Sequence, residues 1–269
     1  MRILEFLHTL TLALIQGITE FLPISSSAHL LLPHHILGWS DQGLGFDTAI
    51  HLGSLIAVIA YFREDILKLT RALLIAAKDR RHCPDSRFAV NLVVASLPVL
   101  ILGFSSRYWI ELNLRGLEVI ITATVVFAVV LLVADVFGKR QRHQTDLGPG
   151  GALLIGLSQC LALIPGASRS GVTMTMALLL GFTRQAASRI SFLIAIPAIA
   201  GASLLKTIDL VTSNASVDWF AMGMGSAIAC VSAFLCIKLF LNLIDSIGFL
   251  PFILYRLVLG AVLLLTILY

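Results

Sequence analysis

Pro165-Gly166-Ala167-Ser168-Arg169-Ser170-Gly171 and Pro23-Ile24-Ser25-Ser26-Ser27 are the two stretches that decide how this chain folds. Each is a polar, proline-containing patch inside a long apolar run, the first within 151–182 and the second within 3–37. Proline removes a backbone donor and biases the preceding residue away from the helix. In lipid, backbone that leaves the helix must be buried in protein or face a water-filled cavity. The returning halves, 28–37 and 172–182, are too short for a crossing, which takes roughly 17–25 residues. Each run therefore reads as a re-entrant helical hairpin rather than as two ordinary spans.

The rest of the chain makes lipid the solvent. Of its 269 residues 58% are hydrophobic and 13% charged, with a mean hydropathy of +0.96. A soluble domain carries about 25% charged residues. Six further segments are apolar enough to span: 46–62, 88–105, 117–136, 190–208, 219–243 and 252–269. The expected fold is an all-α polytopic membrane protein. It has six transmembrane helices plus two re-entrant helical hairpins, in one integral membrane domain over 1–269. Met1 to Leu22, followed by Ser26-Ser27-Ala28, imitates a signal peptide, but Gln16 and Glu20 inside its apolar core argue against cleavage. Cys83, Cys160, Cys230 and Cys236 form no C-x-x-C pair and read as small hydrophobes. Nothing in the charge pattern suggests nucleic-acid binding.

Loop charge orients the chain. If both hairpins return to the side they entered from, the inner segments are 63–87, 137–150, 183–189 and 244–251, with 12 Lys+Arg. The outer segments are the N-terminal end, 38–45, 105–116 and 209–218, with 3. Basic residues favour the cytoplasmic side, so both termini lie outside. Trp39, Trp109 and Trp219 fall at outer boundaries, where interfacial anchors belong. Each half is then one hairpin plus three spans, and three crossings invert the second half. This predicts an inverted repeat, one unit about 1–137 and the other about 150–269, with the hairpin tips meeting near the midplane. Gln16, seven residues before Pro23, would match Gln159, six before Pro165. Leu55-Ile56-Ala57 would match Leu193-Ile194-Ala195. A G-x-x-x-G pattern starting at Gly156 is broken by Cys160.

Polar residues at membrane depth are costly and mark function. Gln16 and Glu20 are four apart and share a helix face. Glu20 needs a cavity or a partner. Ser25, Ser26 and Ser27 follow, then His29, which can act as acid, base or nucleophile. Asp47 and His51, one turn apart, form an outer layer of the site or simply pair with each other. In the second break Arg169 is flanked by Ser168 and Ser170, with Thr173 one turn on. Its guanidinium fork and the neighbouring hydroxyls suit phosphate oxygens. Glycines let backbone N–H groups approach an anion, and two half-helix N-termini aimed at one point make an anion pocket. A structural bridge between Arg169 and Glu20 is compatible with that role.

At these residues the chain resembles the undecaprenyl-diphosphate phosphatase family of bacteria, the bacitracin-resistance type, along essentially its whole length. Gln16-x-x-x-Glu20 resembles the family's (Glu/Gln)-x-x-x-Glu signature. Pro165-Gly-Ala-Ser-Arg-Ser-Gly-Val-Thr173 resembles its P-G-x-S-R-S-x-x-T signature. The resemblance implies hydrolysis of undecaprenyl diphosphate to the monophosphate and phosphate. That reaction recycles the lipid carrier for peptidoglycan and other wall polymers, with bacitracin resistance as a consequence. It also implies a multi-pass protein of the bacterial inner membrane, a site open to the periplasm, and a divalent cation, Mg²⁺ or Ca²⁺, at Glu20. It leaves room for a homodimer. Glu20, Ser26, His29 and Arg169 would be catalytic. Gln16, Ser25, Ser27, Ser168, Ser170 and Thr173 would bind substrate. The attacking group is Ser26, His29 or an activated water.

Two rivals deserve mention. Broken hairpins in inverted repeats also build secondary transporters, so a carrier or flippase of a polyprenyl phosphate is the alternative. A different lipid-phosphatase superfamily pairs S-R-x₅-H with S-G-H. Here Thr175 stands where the first histidine belongs, which excludes that chemistry.

Overall fold

The computed structural model describes residues 3–39, 42–80, 83–114, 116–212 and 218–268. Arg2, Arg81 and Arg115, which enter the loop-charge count, lie outside them. Eleven α-helices are described: α1 Ile3–Thr19, α2 Ser26–Leu37, α3 Gly43–Tyr61, α4 Arg63–Asp79, α5 Pro84–Asn113, α6 Leu117–Phe137, α7 Pro149–Cys160, α8 Arg169–Leu179, α9 Arg184–Thr212, α10 Trp219–Ile247 and α11 Leu250–Leu268. Among the described residues five helices are long and apolar enough to cross a membrane: α3, α5 as Pro84–Ile110, α6, α9 and α10. The sixth expected segment, 252–269, corresponds to α11, whose apolar part, Leu250–Thr266, is shorter.

Both proline-containing patches interrupt helix, and in both cases the chain doubles back. His8 near the start of α1 stacks on Trp39 beyond α2, with ring centroids 3.9 Å apart. In the second hairpin Arg142, ahead of α7, donates to the Leu180 carbonyl at the end of α8 at 3.1 Å. The expected inner loop 63–87 is not plain loop. It holds α4, whose Leu67, Leu74 and Ile75 are exposed alongside Lys68, Arg71 and Lys78. At 100° per residue these six share one arc of the helix, so apolar and basic side chains are interleaved on its exposed side.

Ion pairs sort the helix ends into two groups. Arg189 of α9 meets Asp65 of α4 at 2.7 Å, Arg184 of α9 meets Asp135 of α6 at 2.7 Å, and Lys68 meets Asp85 of α5 at 3.0 Å. The basic α4 and the basic first turns of α9 therefore gather with the end of α6 and the start of α5 at one end of the bundle. At the other end Arg107 of α5 meets Asp209 of α9 at 3.2 Å, and Lys206 comes within 3.9 Å of Asp47 of α3. The α1–α2 hairpin opens beside the start of α3, and the α7–α8 hairpin beside the start of α9. Their open ends thus lie at opposite ends of the bundle.

The core is mostly aliphatic, with a cluster of phenylalanines running through it. Phe192 of α9 touches Phe21 edge-on at 5.3 Å and Phe240 of α10 at 5.6 Å. Each hairpin's first helix seats a glycine on a neighbouring backbone. A Cβ on Gly17 would lie 2.6 Å from the Ala229 carbonyl of α10, and one on Gly156 would lie 2.6 Å from the Ala95 carbonyl of α5. Gly156 thus serves close helix packing although its G-x-x-x-G pattern is incomplete. Gly156→Ala should cost about 1–3 kcal/mol by overpacking. A lowered melting temperature of the purified protein in detergent checks this. Gly223→Ala, where an added Cβ meets nothing within 4 Å, should leave it unchanged.

Candidate active site

The first break begins where α1 ends at Thr19. Glu20 still donates its amide to the Gln16 carbonyl, so its side chain stays in register with Gln16. Gln16 Nε2 donates to Glu20 Oε2 at 2.9 Å, and Ser26 Oγ, at the start of α2, donates to the same oxygen at 2.7 Å. Between them Ser25 takes φ 71°, a left-handed conformation rare for a non-glycine residue. The second break repeats this. α7 ends at Cys160, a short 3₁₀ turn follows, Gly166 takes φ 93°, and Ser168 takes φ 70° immediately before α8.

The two serines correspond in detail. Ser25 Oγ lies 3.1 Å from Ser27 Oγ, and Ser168 Oγ lies 3.2 Å from Ser170 Oγ. Gln16 stands nine residues before Ser25, and Gln159 stands nine before Ser168. In this register Ser26 corresponds to Arg169, and Pro23 to Gly166. This is the register in which the sequence match placed Gln16 against Gln159, with the two prolines one residue apart. Strained residues of this kind cost on the order of 1–3 kcal/mol each and persist only where the surroundings hold them.

The breaks touch. Arg169 Nη2 donates to Glu20 Oε1 and to the Glu20 carbonyl, both at 3.2 Å, and Nη1 donates to the Ser191 carbonyl of α9 at 3.3 Å. Ser170 Oγ donates to the Leu22 carbonyl at 2.7 Å. Thr173 Oγ1 sits 2.9 Å from the Arg169 carbonyl and 2.7 Å from Ser191 Oγ. Glu20, 8% exposed, thus accepts from Gln16, Ser26 and Arg169 at once. The first-turn amides of α2 and α8 have no partner within their own helices except where a side chain caps them. Ser168 Oγ takes one, from Gly171 at 3.2 Å.

Gln16, Glu20, Ser26 and Arg169 form one connected cluster, with Thr173 on the Arg169 carbonyl and Ser170 tied to the first break at Leu22. His29 is held differently. Its Nδ1 faces the Ser25 carbonyl at 2.7 Å and therefore carries the hydrogen. Its Nε2 then accepts from the Tyr255 hydroxyl of α11 at 2.6 Å. Ser27 is exposed. His51 bonds the Asp47 carbonyl at 2.7 Å, so the two do not pair through their side chains, and the Asp47 carboxylate turns to Lys206. Among the described residues no three His, Cys, Asp or Glu side chains gather as a metal site. Gln16 Oε1, however, is buried without a hydrogen-bond partner beside the Glu20 carboxylate.

Residues 9–262 match the family described as bacitracin resistance protein BacA. The chain belongs to this family. Among its relatives is an undecaprenyl-diphosphatase of Alteromonas mediterranea, 52% identical over 253 residues, 94% of this chain and 95% of that protein. Another, from Alcanivorax borkumensis, is 49% identical over 261 residues, 97% of this chain and 98% of its own length. An undecaprenyl-diphosphatase 2 of Stutzerimonas stutzeri is 48% identical over 264 residues, with 97% and 98% coverage.

This BacA family chain also uses residues that sequence reasoning missed. Tyr255 and Ser191 have no unusual chemistry in sequence, and only the packing of α11 and α9 brings them in. Arg256 did carry a signal, being a cation inside an apolar run. Because Glu20 and Arg169 are buried and joined, removing one should cost more than half of removing both. Thermal unfolding of Glu20→Gln, Arg169→Met and the double variant should give a coupling of about 0.5–3 kcal/mol. Additive losses would mean that the two breaks do not sense each other.

Proposed function

We propose that this chain hydrolyses undecaprenyl diphosphate to undecaprenyl phosphate and inorganic phosphate, returning the lipid carrier to cell-wall synthesis and thereby opposing bacitracin. The relatives' names support the substrate. The single observation that carries the chemistry is Ser26 Oγ donating to a carboxylate oxygen of Glu20 at 2.7 Å, while Arg169 reaches the other oxygen. A nucleophile within hydrogen-bond reach of its base, with that base oriented by a third group, is the arrangement for covalent catalysis.

In this reading the terminal phosphate displaces Glu20 from Arg169, and the guanidinium fork and the first turns of α2 and α8 hold its oxygens. Ser26 Oγ attacks the terminal phosphorus as its proton passes to Glu20. The bond from that phosphorus to the bridging oxygen breaks, and undecaprenyl phosphate departs, taking up the proton from Glu20. The restored carboxylate then draws a proton from water as the water oxygen bonds to phosphorus, the bond from phosphorus to Ser26 Oγ breaks, and Glu20 returns the proton to Ser26 Oγ as phosphate leaves. His29 is assigned to proton transfer rather than attack, because both of its ring nitrogens already have partners. Arg169 offsets the charge that builds on the equatorial oxygens.

The donor set fits a hard cation. Glu20 with the orphaned Gln16 Oε1 would hold Mg²⁺ or Ca²⁺, completed by diphosphate oxygens. Such an ion would neutralise phosphate charge. The reading leaves room for a homodimer. The reading includes six crossings, with α11 the last, and two re-entrant hairpins from opposite faces of the inner membrane. The two halves are inverted, and the site opens to the periplasm. Hairpins entering from opposite ends also suit a carrier, which is the second reading.

Phosphate release by the purified protein in detergent separates these. Arg169→Ala should lose about 10²–10³-fold, Glu20→Gln and Ser26→Ala should lose at least as much, and His29→Ala less. EDTA should abolish release, and added Mg²⁺ or Ca²⁺ should restore it. Acid quenching with substrate labelled in the terminal phosphate should trap label on the wild type and none on Ser26→Ala. Substrate binding without release by the wild type would favour the carrier. Release with no trapped label, unaffected by Ser26→Ala, would make water the attacking group.

A further inference from the structure

Arg256 of α11 is the largest side chain that is fully buried, and the mechanism above does not use it. Every polar hydrogen bond it makes goes to backbone carbonyls. Nε donates to Thr124 at 3.2 Å, and Nη1 to Pro23 at 3.4 Å. Nη2 reaches Gly166 at 2.9 Å, Ala167 at 3.1 Å and Ala123 at 3.4 Å. None of the ion pairs among the described residues includes it.

The choice of carbonyls is the informative part. Pro23 lies in the first break, two residues before the strained Ser25. Gly166 and Ala167 lie in the second, directly before the strained Ser168. Ala123 and Thr124 belong to α6, a continuous helix that serves as the fixed reference. One planar fork thus ties both interruptions to one rigid element. The next residue back, Tyr255, holds His29. The first turn of α8 also lies close by, since a Cβ on Gly171 would sit 2.9 Å from Arg256 Nη1.

We infer that Arg256 is a positioning residue for hydrolysis: by gathering carbonyls of both breaks onto α6 it sets the separation between Ser26 on α2 and Arg169 on α8. It does not touch the diphosphate. Peptide planes are rigid and trans, so each carbonyl turned towards Arg256 points the following N–H the other way. For Ala167 that N–H belongs to Ser168, next to Arg169. The guanidinium also supplies what the breaks lack, because carbonyls released from helix in an apolar interior otherwise go unsatisfied. Lysine cannot replace it, since one ammonium cannot span a fork's set of acceptors. The inference rests on the hydrolysis reading above.

The test compares Arg256→Lys and Arg256→Met with the wild type and Arg169→Ala. Each full-length protein is purified in detergent and assayed for phosphate release from a polyprenyl diphosphate, with thermal unfolding measured in parallel. A displacement of about 1 Å between reacting groups costs on the order of a hundred-fold in rate. Arg256→Lys should therefore lose kcat by about that factor, with KM within about three-fold of wild type and the melting transition retained. Arg256→Met should lose at least as much. The proposal is overturned if both variants keep kcat within two-fold, or if the loss falls on KM, as it would for a group that binds substrate. It is also overturned if both variants lose the folded state, which would make Arg256 a residue of folding alone. A wild type that releases no phosphate would overturn the hydrolysis reading itself, a result readable without any Arg256 variant.

Discussion

Backbone that leaves the helix inside an apolar interior has to find partners for its polar groups, and the rest of this structure follows from how two such interruptions meet that demand together. Neither break could be stable by itself. Glu20 would be an unpaired buried carboxylate and Arg169 an unpaired buried cation, each costing several kcal/mol. Set against each other they form the 3.2 Å pair, and Ser170 caps the Leu22 carbonyl across the junction. The chain is thereby committed to a meeting of two hairpins whose open ends lie at opposite ends of the bundle. The surrounding long helices are arranged to make that meeting possible.

The same arrangement is poised for chemistry because its strain is symmetric. Ser25 and Ser168 both adopt backbone angles that side chains normally avoid, each one residue before a returning helix. The result is two helix N-termini aimed at one cluster, with a hydroxyl, a carboxylate and a guanidinium between them. A site stabilised only for folding would gain by relaxing those serines. That they stay strained is the mark expected of preorganisation for a ligand. In the proposed reading that ligand is a diphosphate, whose charge suits two helix ends and an arginine fork.

Much of this was legible in sequence, for physical reasons. Polar residues in apolar runs are expensive, so Glu20, Arg169 and their flanking serines announce themselves, and proline with glycine marks where the helices stop. The basic segments identify one end of the bundle, and ion pairs such as Arg189 with Asp65 place several of them there. What sequence could not deliver depends on tertiary placement. The region 63–87 looked like a charged loop, yet its apolar residues recur at helical spacing and form α4. The match of Gln16 with Gln159 was visible, but that strained serines occupy equivalent positions nine residues after each was not, because a backbone angle leaves no mark in residue type. Tyr255 reaches His29 across more than two hundred residues, a contact no local pattern encodes. Arg256 could have been flagged by the rule that exposed Arg169, but its carbonyl partners lie in three separate segments.

The central claim is that the two breaks lie against each other in the folded protein, and proximity in the membrane tests it most directly. Leu22→Cys with Ser170→Cys, in a background where the four natural cysteines are replaced, should be joined within one chain by a short bifunctional thiol reagent. His8→Cys with Trp39→Cys, a contact inside a single hairpin, serves as the positive control. Linkage of both pairs is the expected result. Linkage of the control alone would place the breaks apart and contradict the account.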